Sequence, residues 1–277
     1  MDKFYVSTVC TKRVLKEFLL LKYSMDLYHS NCNWLLSADK YVTDYFEKDD
    51  TVECFEWIGE SGIHRSGDKD TLQNYEKLIK TKMDILNVSF DRHGYGFILD
   101  TDMIMVHPFS DKFFNLFVDD IPHDVVVSHH HLSNIRLEKY VGKYNGGMVL
   151  VRNKQFIQDW KDITETGKYF YEQKPIEVAI ETKGYDVALY PKGINVANWR
   201  FDHNPSLSFS IKDDGFYIDE DIIYNLHVHV IEETIPYADP TMSRFSHKVL
   251  DMFKNTNNEI YKKIYEKIGE LNELESR

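Results

Sequence analysis

The stretch YGFILDTDMIMVHPF, Tyr95–Phe109, sets two carboxylates one residue apart between two apolar runs. Gly96 and Asp100 bound the run FIL, a short continuous apolar segment of the kind that forms a strand buried on both faces. The backbone of Asp100 and Asp102 is then buried while their side chains reach an edge. Unpaired carboxylates there are costly, so they need a cation, a hydrogen-bond donor or water. Hard oxygen ligands at close range suit Mg²⁺ or Mn²⁺, above all where substrate phosphates complete the shell. On an exposed loop Asp-x-Asp is ordinary turn chemistry; the apolar runs on both sides favour the metal reading.

Upstream, strand-like and helix-like patterns alternate. KFYVSTVC reads as a strand, and KRVLKEFLLLKYSMDLYH places Val14, Phe18, Leu21, Met25 and Tyr28 on one helical face at three- and four-residue steps. NWLLSA and TVECFEW read as strands, and Glu60–Asp70, with Gly59, Gly62 and Gly67 in or beside it, as a polar loop. TLQNYEKLIKTKMDIL returns to helical spacing through Leu72, Tyr75, Ile79 and Leu86. Such alternation predicts an α/β fold, a largely parallel sheet with helices on both faces. Ligands of these sheets sit beyond the carboxyl ends of the strands, which is where Asp100 falls.

Downstream, DVVVSHH, GGMVLVRN, DVALYP and IIYNLHVHV read as strands, KQFIQDWKDI and PIEVAIETKG as short helices. No linker or repeat interrupts the pattern, so residues 1–277 are expected to form one domain. The tail, 251–277, is expected to be a helix with Ile260, Ile264, Ile268 and Leu271 on one face, either packed on the body or forming a homodimer seam.

A chain of 277 residues with 43% hydrophobic and 28% charged residues can bury a sizeable core. Its net charge of −12 argues against nucleic acid as a partner, which needs a basic face. An anionic small molecule stays open, because a bound cation can supply positive charge locally. MDKFYVSTVC lacks the features of a signal peptide, and no uncharged stretch is long enough to cross a membrane, so the expected location is cytoplasmic. Cys10, Cys32 and Cys54, odd in number and far apart, suit free thiols in a reducing compartment.

Two enzyme classes use Asp-x-Asp after an apolar strand. Haloacid-dehalogenase-like phosphohydrolases want Thr or Val two places after the second acid, where this chain has Ile104, and carry the motif on the first strand. The other class is the nucleotide-sugar-dependent glycosyltransferases of the GT-A fold. FILDTDMIMVHPF resembles their metal motif. TKMDILNVSFDRHGYGFILDTD is similar to the glycogenin-like segment in which Thr-Lys opens the preceding helix. KYNGGMVLVRN resembles their Asn-Gly-Gly turn into a strand. FYEQKPIEVA resembles their Asp-Gln segment with Glu in place of Asp, and IIYNLHVHV lies where they offer a metal-binding histidine. The chain continues VHVIEETIPY where the glycogenin-like family has Lys-Pro-Trp, which marks it as a divergent relative of bacterial or viral type.

The resemblance implies a GT-A fold: a Rossmann-like, mixed, mainly parallel sheet flanked by helices. It implies a nucleotide-binding half, 1–109, a half that completes the metal and acceptor sites, 110–250, and a sugar moved from a UDP- or GDP-type donor to a glycan or other hydroxyl acceptor. The cation, Mn²⁺ or Mg²⁺, is implied to lie on Asp100, Asp102 and His227 or His229. The two histidines face one side of a strand. Ser7, Thr8 and Val9 would support the base, Lys12 or Arg13 the phosphates, and Asp39 the base or ribose. Lys82, Asp100, Thr101, Asn145, Gly146 and Gly147 would meet the donor. Glu172, Gln173 and Glu177 are the catalytic candidates, as general base if the reaction inverts or as stabilisers of an oxocarbenium-like species if, as the resemblance favours, it retains. A binding protein that kept this fold and lost turnover is the alternative. His129, His130 and His131 alternate across a strand and cannot readily share one ion, so an exposed or acceptor-lining cluster is expected. Trp199 is expected in the core, with an acceptor platform formed with Arg200 as the other reading.

Overall fold

The computed structural model describes residues 3–58, 69–117, 123–132, 134–169, 172–202, 207–212, 215–234 and 240–274. The chain opens with β1 (Phe4–Cys10), α1 (Leu15–Asp26), β2 (Cys32–Ala38), α2 (Lys40–Tyr45), β3 (Val52–Glu56) and α3 (Lys69–His93). Two strands then flank the acidic tripeptide, β4 (Gly96–Leu99) and β5 (Met103–Met105). There follow α4 (Asp111–Phe114), β6 (Val125–His129), α5 (Ile135–Val141), β7 (Tyr144–Val151), α6 (Lys154–Glu165), α7 (Gln173–Lys183), β8 (Val187–Leu189) and α8 (Asn198–Asp202). The chain ends with β9 (Phe209–Lys212), β10 (Gly215–Ile218), β11 (Asp221–Ile222), β12 (Asn225–His227), α9 (Pro240–Lys254) and α10 (Glu259–Glu273).

The main sheet has the strand order β3-β2-β1-β4-β7-β6-β8. β3, β2, β1 and β4 run parallel, as do β6 and β8, while β7 is antiparallel to both neighbours. The order reverses between β1 and β4, so β4 ends at the topological switch point, where open α/β sheets bind ligands. Alternation along β4 makes both faces apolar. Phe97 and Leu99 join the cluster that holds Phe18, Leu21 and Met25 of α1, while Ile98 joins Ile79, Met83 and Leu86 of α3 on the other face. The α1 stripe therefore packs as its spacing predicts.

Several boundaries differ from expectation. β1 ends at Cys10, as KFYVSTVC does, but Ser7 and Thr8, expected at the strand end to support a base, are buried in mid-strand, because the parallel ladder with β2 continues to the pair Cys10↔Ala38. The loop expected over Glu60–Asp70 lies outside the described residues except for Lys69 and Asp70, which open α3. IIYNLHVHV is not one strand. Its first part pairs with β10, to which the Ile223 amide still donates at the Phe216 carbonyl, and its second with β5, because the Tyr224 amide turns away to the Gly193 carbonyl. The tail holds two helices, not one from 251. The Ile264, Ile268 and Leu271 face of α10 is buried in a cluster with Val249 and Phe253 of α9 and Leu20 of α1, so this seam packs on the body. No described helix is long and apolar enough to cross a membrane.

One buried histidine braces the segment after β5. His29 Nε2 accepts a hydrogen bond from the Phe109 amide at 2.9 Å, and its ring stacks on Phe109. Burial lowers its pKa from 6.5 to about 4. The unfolded chain therefore binds a proton between these values that the folded chain refuses, and stability falls as pH drops from 6.5 toward 4. The loss amounts to about 3 kcal/mol over that window. Denaturant titrations at pH 7 and pH 4 should show it, and His29→Gln should remove the part that His29 contributes, leaving that of His130, which burial shifts the same way.

Candidate active site

At Asp100 the chain leaves the main sheet, and by Met103 it has joined a second one. Two backbone bonds fix the corner: the Asp100 amide donates to the Gly147 carbonyl (2.8 Å), and the Val228 amide to the Asp102 carbonyl (2.7 Å). β5 and β12 pair antiparallel with Met103 opposite His227, and this register sets the imidazole beside the acids. One ligand atom each from Asp100, Asp102 and His227 lie within 4.8 Å of one another. His227 is buried, while the Asp100 side chain keeps 32% of its exposure and Asp102 15%, so solvent reaches the acids.

Glycine at 147 keeps this corner open. A Cβ there would lie 2.7 Å from His227 Cε1, 2.8 Å from Asn145 Oδ1 and 3.0 Å from Asp100 Oδ2. Neither Gly146 nor Gly147 has a positive φ, and both lie within β7 rather than in the expected turn. Close approach is what demands glycine here. The pairing of β6 with β7 jumps from Val127↔Val149 to Ser128↔Asn145, a bulge that swings residues 146–148 toward β4.

The two late histidines differ. His227 Nε2 lies 3.1 Å from Asp102 Oδ2, in the triad. His229 has both nitrogens engaged: Nδ1 at 2.5 Å from Glu17 Oε1 and Nε2 at 3.4 Å from Asp102 Oδ2. Burial opposes charge on His229, but Glu17 and Asp102 outweigh it and raise its pKa to about 9. His229 is thus an imidazolium clamp between two acids. Burial likewise opposes ionisation of Asp102, and the two histidines overcome it, holding its carboxyl below the usual range. Asp100 moves the other way. Burial and the charge of Asp102 raise its pKa, against the pull of Lys82.

Lys82, buried on α3, spans 2.7 Å to Asp100 Oδ1 and 3.4 Å to Glu172 Oε1. Burial disfavours its charge, yet the two acids raise its pKa. Trp160 of α6 fixes the other side of this pair by donating its indole N–H to the Glu172 carbonyl at 2.9 Å. Glu172 and Gln173 then line Gly146, where a Cβ would lie 3.3 Å from Glu172 Oε1 and from Gln173 Cγ. Lys82→Met leaves two buried carboxyl groups without their cation. We expect it to cost about 3 kcal/mol, read as a lower denaturant midpoint at neutral pH.

Other candidates stand farther from the acids or have structural partners. Glu177 accepts from the Lys143 amide (2.7 Å) and from Lys174 (2.6 Å), bonds that anchor the entry to β7. Asp39 caps α2 through the Val42 amide and also accepts from the Lys12 amide (2.7 Å); the Lys12 ammonium lies over the Tyr41 ring. Thr101 is buried in the acidic corner, and Val9 is half-buried near the end of β1. The Ser7 and Thr8 hydroxyls, on opposite faces of β1, have no hydrogen-bond partner among the described residues. His130 is buried rather than exposed, while the His129 and His131 rings lie together, 4.9 Å between centroids, with His129 Nδ1 accepting from the His131 amide (2.8 Å). Trp199 is half-buried beside the site, edge-on to His227 at 5.0 Å, whereas Arg200 is the buried one, bonded to the Lys192 and Ile194 carbonyls.

Two residues went unread in the sequence. Glu17 falls on the apolar stripe of α1, one turn before Leu21, and an acid on a buried stripe was the available signal. Asn195 holds His227 Nδ1 at 2.8 Å from a backbone at φ 56°, and nothing in its neighbours announces that conformation.

No family model and no curated protein matches the sequence. Solved structures do match. The galactosyltransferase LgtC, crystallised with donor and acceptor sugar analogues, superposes with a TM-score of 0.54 at 11% identity over 98% of each chain. The fold is the GT-A fold. Mouse xyloside xylosyltransferase 1 aligns with a TM-score of 0.52 at 10% identity, over 81% of this chain and 97% of its own. The bifunctional glycosyltransferase WbbM aligns with a TM-score of 0.53 at 13% identity over 96% of this chain, which spans about half (52%) of its length.

Proposed function

We propose that this protein is a glycosyltransferase that uses a divalent cation and a nucleoside-diphosphate sugar. The convergence of Asp100, Asp102 and His227 at the switch-point end of β4 carries this reading. Two carboxylates and one imidazole suit Mn²⁺ or Mg²⁺, and the missing Cβ of Gly147 leaves room beside them. Asp100, Asp102 and His227 would hold the ion, which would supply Lewis-acid stabilisation of negative charge on the departing diphosphate.

The remaining work belongs to the chain. Residues 1–109 form the nucleotide side and 110–250 complete the cation and acceptor sides. Lys82 holds Asp100 and Glu172 at a fixed separation, so the cation side and the sugar side move as one. The bulge at 146–148 lets the donor approach the backbone. Glu172 and Gln173, which lie against Gly146, would act near the anomeric carbon. The half-buried face of Trp199 offers an acceptor sugar an apolar platform. Purified protein incubated with a panel of UDP- and GDP-sugars should release nucleoside diphosphate with Mn²⁺ and not with EDTA. Release from none of the panel would reject the proposal.

A further inference from the structure

His227 stands at the end of a chain of side-chain hydrogen bonds running away from the acids. Its Nδ1 lies 2.8 Å from Asn195 Oδ1. Asn195 Nδ2 donates to Asn145 Oδ1 at 2.7 Å, and Asn145 Nδ2 lies 3.1 Å from His130 Nε2. His130 Nδ1 lies 2.7 Å from the Gly142 carbonyl. Asn145, Asn195 and His130 are all buried.

Two backbone groups fix the direction of every proton in this chain. The Gly147 amide donates to Asn145 Oδ1 at 2.7 Å, and a backbone N–H can only donate. That atom of Asn145 is therefore the oxygen, and its NH₂ group faces His130. Asn195 must then present its own NH₂ to the same oxygen, leaving its carbonyl toward His227. The far end agrees independently. The Gly142 carbonyl can only accept, so His130 carries its proton on Nδ1 and offers a lone pair at Nε2, which is what the Asn145 NH₂ needs. Burial pushes the His130 pKa down to about 4, in keeping with a neutral ring.

We propose that Asn195, oriented by Asn145 and His130, is a positioning residue that holds the proton of His227 on Nδ1 and so turns the Nε2 lone pair toward the cation. This rests on the cation site proposed above. Metal-binding imidazoles generally donate their second N–H to a partner that fixes the tautomer and the ring plane. Here the partner is a neutral amide, which orients the ring without adding charge. Asn195 is itself anchored by a bond from its amide to Asn225 Oδ1 (2.8 Å), on the strand that carries His227. Its φ of 56° is a conformation that asparagine tolerates and most residues do not.

The test is Mn²⁺ titration of the full chain, followed by loss of the free-ion paramagnetic resonance signal. Asn195→Gly keeps the positive φ and the backbone bond to Asn225 and removes only the side chain. It should weaken Mn²⁺ binding by about 10- to 100-fold. Nitrogen NMR of the wild-type histidines with Mg²⁺ provides a second readout that needs no variant. His227 should be protonated at Nδ1 and bare at Nε2, and His130 likewise. Wild-type affinity in Asn195→Gly overturns the relay while leaving the cation site intact; a proton on His227 Nε2 in the Mg²⁺ form overturns the relay and removes His227 from the cation's ligands. Failure of the wild-type chain to take up Mn²⁺ removes the site, and the relay with it.

Discussion

Replacing Asp102 by asparagine should lower the proposed Mn²⁺-dependent cleavage of the donor by roughly a thousandfold, equivalent to about 4 kcal/mol of lost charge stabilisation. The substitution keeps the shape of the side chain and removes its charge. Asp102 lies within reach of both late histidines, His227 at 3.1 Å and His229 at 3.4 Å, so it is the group on which the cation side converges. Asparagine there would leave one carboxylate, Asp100, and the His227 imidazole beside a neutral amide, a set far weaker for a hard divalent ion. Asp100→Asn should be milder in metal binding than in stability, because Asp100 is also the partner of buried Lys82. Initial rates of diphosphate release at saturating donor, with matched melting temperatures, separate the two effects.

The second large effect is expected at Gly147. An alanine methyl would sit 2.7 Å from His227 Cε1 and 3.0 Å from Asp100 Oδ2, in the middle of the three ligands. The strand cannot simply back away, because the Gly147 carbonyl accepts from the Asp100 amide and the Gly147 amide donates to Asn145. Gly147→Ala should therefore cost about 1–3 kcal/mol of stability and lower turnover by about a hundredfold through misplaced ligands. Gly269→Ala is the control. That glycine lies in α10 with nothing within 4 Å of an added Cβ, so the variant should keep full activity and gain up to about 1 kcal/mol.

The βαβ alternation, the burial of FIL and the position of Asp100 at a strand end were legible in the sequence because they follow from the local pattern. The cation set was half legible. Resemblance pointed to His227 or His229, but choosing between residues that share a strand face needs the register of β12 on β5 and the position of Glu17, both set by tertiary pairing. The glycines read as a turn into a strand, required either by close approach of a ligand or by the turn itself; the side chains of Asp100 and His227 that crowd Gly147 are invisible along the chain. The histidine run was judged by strand alternation. That reading missed that the inward-facing ring, His130, reaches Asn145. Asn195 had no local signal at all, since its importance comes from what lies across it.

The central claim is that Asp100, Asp102 and His227 create a cation-dependent site for a nucleoside diphosphate. Calorimetric titration of UDP and GDP into the wild-type chain and Asp102→Asn, each with Mn²⁺ and with EDTA, tests it most directly. The account predicts that one of the nucleotides binds the wild-type chain only when Mn²⁺ is present and does not bind the variant. Binding of equal strength in EDTA, or undiminished in Asp102→Asn, would contradict it.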